Sequence, residues 1–375
     1  MRLAILLSAS LLCPAQSPTW SDVAPVFDRW CNQCHRAGQV GPFDFTSYEG
    51  ASAYAPEIAQ DLNAAKMPPW RMKPLALPFA NSRLLPDLAT ATILDWINAG
   101  AKPGATPPLP KRNTQWNLGT PGLVVSQPKE HTVSAEKTVE IVQFEVSPTE
   151  LGTATADRYV QAIEFRPSNR NLLHHAVLKV GNTPIMAWAL CDTGFRLPAG
   201  TAWKLPHNQA LTVELHYFKR TLRTARDLTR VALFFASARP ARIAALIEIA
   251  KPELNIPAGA NLHSEKTTYR VAENLQLHAV LPVFQLLAAD LRLRLKGQSH
   301  DLLWVEPFEH HLMSSYILAS PLPLRSGTIM EAEAIYDNST QNADNPHKEL
   351  REVHFAENGL DETFRFWLTV SRPNR

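Results

Sequence analysis

Two thiols and an imidazole stand together near the start of the chain, in Cys31-Asn-Gln-Cys34-His35. Two cysteines one helical turn apart can add across the two vinyl groups of a haem, and the imidazole of the next residue then reaches the iron from the same side. The spacing is that of c-type haem attachment. Two other readings use the same residues. One is half of a zinc site, for which this chain supplies no second Cys-x-x-Cys. The other is a redox-active dithiol of a reducing compartment. If haem c is bound, its sixth ligand is expected later in the same domain. Lys66-Met67-Pro68-Pro69-Trp70 offers a thioether in a proline-braced loop, so Met67 is the expected axial ligand and Met72 its competitor.

A second set of donors lies further on. His174-His175 opens the segment Leu172–Val180, His216 sits in Leu211–Phe218, and His278 sits in Leu275–Val280. Successive residues of a regular strand face opposite ways, so the His174-His175 pair can serve one centre only at a strand end or a bulge. On the next segment Leu211, Val213, Leu215 and Tyr217 form one face, and His216 shares the other with Thr212 and Glu214. Three imidazoles from neighbouring strands suit copper. Hydrogen-bonded strand histidines fit the same pattern. His131, His207, His263, His300, His347 and His354 read as surface or turn residues.

The elements that must position these groups differ between the two parts of the chain. Residues 1–17 read as a signal peptide: Arg2, a short apolar run from Leu3 to Leu12, and small Ala15 before a cut. This implies a periplasmic or secreted protein, with a lipoprotein anchor at Cys13 as the alternative. Residues 18–103 carry helical spacing, clearest at Leu88, Ile93, Trp96 and Ile97, and Asn98-Ala-Gly100 ends that helix. Residues 104–115 are a proline-rich linker. Beyond it the period becomes two. Strands are expected at 159–165, 172–180, 211–218, 231–235, 275–283, 291–295, 328–336 and 363–370. A break near Lys251–Gly259 divides this stretch into modules 116–250 and 251–375, with no clear sequence repeat between them. The expected fold is a small all-α cytochrome c domain followed by two all-β jelly-roll sandwich domains.

The β region resembles the copper type II, ascorbate-dependent monooxygenases, which include peptidylglycine alpha-hydroxylating monooxygenase. The likeness rests on the His174-His175 pair, Leu215-His216-Tyr217, the 328–336 strand with Asp337-Asn338-Ser339, and Asp361-Glu362, in that order from about 120 to 371. The N-terminal part, with its Cys31–His35 motif, Lys66–Trp70 and Trp96-Ile-Asn-Ala-Gly-Ala101, is similar to a cytochrome c domain that precedes such a module in some bacterial proteins. The resemblance implies one copper held by His174, His175 and His216. It implies a second, oxygen-binding copper that takes His-x-His and a late Met. Here those positions read His278-Ala279-Val280 and Asp361-Glu362-Thr363, so only His278 is kept, with His310, His311 and Met313 as conceivable replacements. Haem c and copper are therefore the expected cofactors.

Composition narrows the rest. Net charge is +2 over 375 residues, with no basic stripe, which argues against nucleic acid. No stretch after the signal is long and apolar enough to form a transmembrane segment. With two cysteines taken by the haem motif and Cys13 removed, Cys191 has no disulfide partner and reads as a small buried hydrophobe. Three functions are expected to compete: a haem-fed hydroxylase, a haem–copper electron carrier with a redox partner, and a catalytically inactive jelly-roll scaffold that binds a peptide, glycan or partner protein.

Overall fold

The computed structural model describes residues 17–37, 39–73, 77–108 and 116–374. The expected signal peptide, apart from Ser17, lies outside the described residues. The chain forms two compact units: Met1–Arg36 with Gly41–Pro68 and Leu84–Pro110, and Ala37–Val40 with Pro69–Arg83 and Lys111–Arg375. Among the described residues no helix is long and apolar enough to cross a membrane.

The first unit is helical. Helix α1 (Trp20–Val26) runs into a π-helical turn at Phe27–Cys31, followed by α2 (Tyr48–Ala53), α3 (Ala55–Asn63) and α4 (Asp87–Asn98). At the start of α1 the Asp22 carboxylate accepts the Thr19 backbone N–H at 2.8 Å, satisfying a donor that the helix leaves open. Trp20, Phe27, Ile93 and Trp96 form its core. The buried Trp96 indole donates to the Lys102 carbonyl at 2.9 Å, so its polar end is not stranded.

The second unit is built from strands. Its first half holds β1 (Leu123–Ser126), β2 (His131–Val133), β3 (Val139–Val146), β4 (Arg158–Arg166), β5 (Leu173–Val180), β6 (Thr183–Ala189), β7 (Phe195–Arg196), β8 (Thr201–Leu205), β9 (Leu211–Phe218), β10 (Ala225–Asp227) and β11 (Arg230–Phe235), with the one-turn helix α5 (Pro148–Leu151). Its second half holds β12 (Arg242–Ala250), β13 (Asn255–Ile256), β14 (His263–Arg270), β15 (Leu275–Val283), β16 (Ala288–Leu295), β17 (Asp301–Val305), β18 (Tyr316–Leu324), β19 (Ile329–Tyr336), β20 (Val353–His354) and β21 (Arg365–Pro373). A nine-stranded sheet runs β1-β11-β4-β8-β12-β21-β15-β18, with β7 beside β4. Two four-stranded sheets, β3-β9-β5-β6 and β14-β19-β16-β17, pack against its two halves.

The two halves repeat one connectivity. β9 lies between β3 and β5, and β5 pairs with β6; β19 lies between β14 and β16, and β16 pairs with β17. β4 lies between β11 and β8, as β15 lies between β21 and β18. β1 pairs with β11 as β12 pairs with β21, and even the small β2–β10 and β13–β20 pairs correspond. In both halves the chain passes between the two sheets in the same order, as in a jelly roll. The chain is thus mostly β-sheet of jelly-roll type, and its helices are few and short. β12 runs parallel to β8 and fuses the halves into one sheet.

A buried carboxylate holds each half at the same place, just before the last strand. Asp227, fully buried, accepts the Asn169 N–H at 2.9 Å and the hydroxyls of Ser168, Tyr217 and Thr229. Glu362, also fully buried, accepts the N–H groups of Gln285, Leu287 and Thr363. In each case the donors include the loop that crosses from one sheet to the other, β4 to β5 or β15 to β16. The segment 69–83 also belongs to this unit: Met72 bridges to Val305 and Phe79 to Leu318, and the buried Arg83 guanidinium donates to the Cys191 carbonyl at 2.6 Å. Cys191 is itself buried in the core.

Removing a multiply bonded buried carboxylate strands its donors, so Asp227→Ala is expected to cost about 3 kcal/mol or more. Chemical denaturation measures this, and the exposed Glu253→Ala should stay within about 0.5 kcal/mol of the parent. Equal stability of the two variants would show that the carboxylate does not hold the loop.

Candidate functional site

The outer face of the β3-β9-β5-β6 sheet gathers most of the chemistry. The register sets its rows: Ile141, His216 and His175; then Gln143, Glu214 and Val177; then Glu145, Thr212 and Lys179. The other face of β9, with Leu211, Val213, Leu215 and Tyr217, is buried in the core. A β-bulge breaks the β5–β9 register between Leu173, which pairs with Tyr217, and His175, which pairs with His216. His174 is the extra residue. A bulge re-aims one side chain, which is how two consecutive imidazoles come to share a site.

The imidazoles form a buried seam. His174 Nε2 lies 2.8 Å from the His310 carbonyl oxygen and so donates to it. A neutral His174 then has only Nδ1 to accept, and the His175 Nδ1–H stands 3.1 Å away. His310, from the short 3-10 turn His310–Leu312 of the second half, stacks on His174 at 3.9 Å, and His175 stacks on His216 at 4.0 Å. His216 Nε2 donates to Glu214 at 3.0 Å, and Lys179 reaches the other oxygen of Glu214 at 2.6 Å. Glu357, 3.8 Å from His216 Nδ1, is paired with Arg365.

Burial sets the charge states. Desolvation pulls His174 down to about 4 and holds His175 and His310 well below the usual histidine range, and neighbouring imidazoles push His175 and His310 the same way. Glu214 is held at about 2 by its hydrogen bond from His216, with the Lys179 ammonium adding to the effect. His174, His175 and His310 are therefore neutral at pH 7, and the seam ends in the Glu214–Lys179 ion pair.

Beyond that ion pair the face opens into a polar cleft of about 450 Å³. Gln143 and Glu145 of β3, Lys179 of β5, Asn182 of the following turn, Gln209 of the β8–β9 loop and Thr212 of β9 line it. It holds amide, carboxylate, ammonium and hydroxyl groups within one concavity and no aromatic ring.

The other expected site residues are placed elsewhere. His278, buried on β15, lies 2.8 Å from the Ser371 hydroxyl through Nε2, and Arg242 donates to the same hydroxyl at 2.9 Å. Val280, Thr363 and Met313 are buried in packing positions, with Thr363 donating to the Val283 carbonyl. In the helical unit Cys31 ends the π-helical turn and Cys34 follows one turn later; burial pushes the Cys31 thiol up to about 12. The His35 ring lies flat on Phe45 at 4.6 Å. Met67 follows α3, with its N–H on the Asp61 carbonyl, whereas Met72 is in the core of the β unit. His311 lies 3.6 Å from Glu309.

No family model matches the sequence, and no curated protein does. Solved structures that it resembles include the major capsid protein P2 of bacteriophage PM2, at 8% identity over 67% of this chain and 97% of that one, with a TM-score of 0.29. The STIV MCP follows at 9% identity over 67% and 96%, with a TM-score of 0.29. A Paenibacillus xanthan lyase matches at 9% identity over 71% of this chain and 27% of that one, with a TM-score of 0.19. Likeness this slight says nothing about activity.

Three expectations are corrected here. The resemblance to a cytochrome c joined to a copper monooxygenase finds no match among family models or curated proteins, and the solved structures named above are of neither kind. Haem c and copper as the expected cofactors are corrected with it. Among the described residues no three His, Cys, Asp or Glu side chains gather so as to hold a metal ion. In the seam the rings stack, His174 Nδ1 faces His175 Nδ1, His174 Nε2 faces the His310 carbonyl and His216 Nε2 faces Glu214. His278 is turned to Ser371. Sequence reasoning did not place His310 with the His174-His175 pair, nor Glu357 beside His216; only folding across the two halves brings them there.

In the unfolded chain these imidazoles titrate near about 6.5. Folded, His174, His175 and His310 resist protonation, so below that pH the unfolded chain binds more protons. Stability present above pH 6.5 is thus lost as the pH falls toward 4. Glu362 works in the opposite sense, because burial raises its folded carboxyl to about 7. Unfolding free energy measured by denaturant from pH 7 to 4 should fall. In His310→Gln the slope should be shallower by up to about 1.4 kcal/mol per pH unit. An unchanged slope would place the pH dependence outside the seam.

Proposed function

We propose that the chain is an exported binding protein: a small all-α domain followed by two jelly-roll sandwich domains, with its ligand received on the outer face of the β3-β9-β5-β6 sheet. The observation that carries this reading is the polar cleft of about 450 Å³ on that face. The volume lies within the range of small-ligand sites, and the convergent groups are of the kind that fix a polar ligand's orientation. The buried seam supports the cleft instead of reacting: its imidazoles are enclosed, and His216 positions Glu214 and hence Lys179. Export rests on the Arg2–Ala15 pattern.

The test is thermal unfolding of the mature chain in the presence of soluble oligosaccharides and of peptides. A ligand at about 100 times its Kd adds about 2.7 kcal/mol, a shift of several degrees. The double variant Gln143→Ala with Asn182→Ala should unfold at the parent temperature when alone and lose the ligand-induced shift. A shift that survives in this variant would move the site elsewhere, and no shift with either ligand class would refute the reading.

A further inference from the structure

The cleft lies against β3, and β3 is an edge strand. It pairs with β9 on one side and, among the described residues, with no strand on the other. It is eight residues long, and its register with β9 is unbroken. Edge strands of this length are usually blunted by lysine, proline or a bulge. Val139-Glu-Ile-Val-Gln-Phe-Glu-Val146 has no lysine, proline or bulge, and its only charges are Glu140 and Glu145, which repel another acidic edge but not a basic strand. Ile141 on the outer face is 43% exposed. The turn around Gly359 is packed against Val139, so the open run begins at Glu140.

The net charge around this edge is negative. Residues 129–150 carry Glu130, Glu136, Glu140, Glu145 and Glu150 against Lys129 and Lys137. Glu140 is already engaged, by Lys137 at 2.5 Å and His131 at 3.1 Å. Glu145 points into the cleft beside Gln143, across the sheet from the Lys179–Glu214 pair.

Resting on the binding face proposed above, we infer that its ligand is an extended peptide with basic side chains, added as a further strand along β3. The N–H and C=O groups of the open edge supply binding that does not depend on sequence. Alternate side chains of an added strand stand about 7 Å apart on one face. One of them falls over Glu145, where a lysine or arginine gains a charge-assisted hydrogen bond and the cleft amides take its remaining donors. Ile141, at the far end of the same row of outward positions, receives an apolar residue.

The probes are an acetylated octapeptide of alternating lysine and valine, its glutamate–valine counterpart, and a neutral maltooligosaccharide. Each is added to the full mature chain. Amide hydrogen exchange read by mass spectrometry should show protection of residues 140–146 by the lysine peptide and none by the glutamate peptide. Glu145→Lys should weaken the lysine peptide about tenfold or more by fluorescence anisotropy, and Glu253→Lys, the same charge change on the other half, should not. Equal protection by both peptides, or unchanged affinity in Glu145→Lys, overturns the inference. Binding of the oligosaccharide alone overturns it too, but leaves the binding face standing; binding of none of the probes, together with no thermal shift, removes both.

Discussion

The β unit depends on one arrangement used twice: a fully buried carboxylate, just before the last strand of each half, that collects the donors of the loop crossing between the sheets. Asp227 and Glu362 occupy the same topological position although they differ in residue type and neighbours. A jelly roll passes its chain repeatedly from sheet to sheet, and every crossing leaves backbone N–H groups without a ladder partner. Gathering them on one anion is the cheapest remedy that a dry interior allows, because an ionised acceptor bonds more strongly than a neutral one and several donors share it. Glu362 shows the competition directly: burial raises its carboxyl to about 7 although four backbone N–H groups pull the other way.

With the crossings fixed, the outer face of the β3-β9-β5-β6 sheet is free to vary. Its inner face must be apolar, as Leu211, Val213, Leu215 and Tyr217 are. Its outer face is dry at one end, where the second half brings His310 onto His174, and wet at the other, where the polar cleft opens. The passage from stacked neutral imidazoles through His216 and Glu214 to Lys179 is therefore a gradient of burial along a single sheet face. The low titration points of His174, His175 and His310 follow from that burial first, with neighbouring imidazoles pushing each the same way.

The histidine pair shows why local pattern and site geometry are separate questions. Spacing specifies donor types and their separation along the chain. A metal or haem centre requires donors to converge, and convergence depends on partners remote in sequence. In the seam one nitrogen of His174 is engaged by the His310 carbonyl and one of His216 by Glu214. His278 Nε2 is engaged by Ser371.

Apolar patterning sufficed to locate β4, β5, β9, β15 and β19 within a residue or two, because each has at least one face in a core, β15 having both, and helical spacing placed α4. It also put Leu211, Val213, Leu215 and Tyr217 on the face opposite to His216. Strands whose pattern is not hydrophobic were illegible: β14 reads His-Ser-Glu-Lys-Thr-Thr-Tyr-Arg, and β18 carries Pro321 and Pro323, which an edge strand tolerates. The repeat of connectivity was illegible too, since pairing order is fixed by packing and the two halves meet the same demands with different residues. From sequence, a shared centre at His174-His175 required a bulge or strand end. That the bulge forms, that His310 and Glu357 close over it from the other half, and that β3 is left as an open edge were decided by tertiary structure alone. Side-chain periodicity determines which way a residue faces, whereas what it faces depends on contacts between segments more than 100 residues apart.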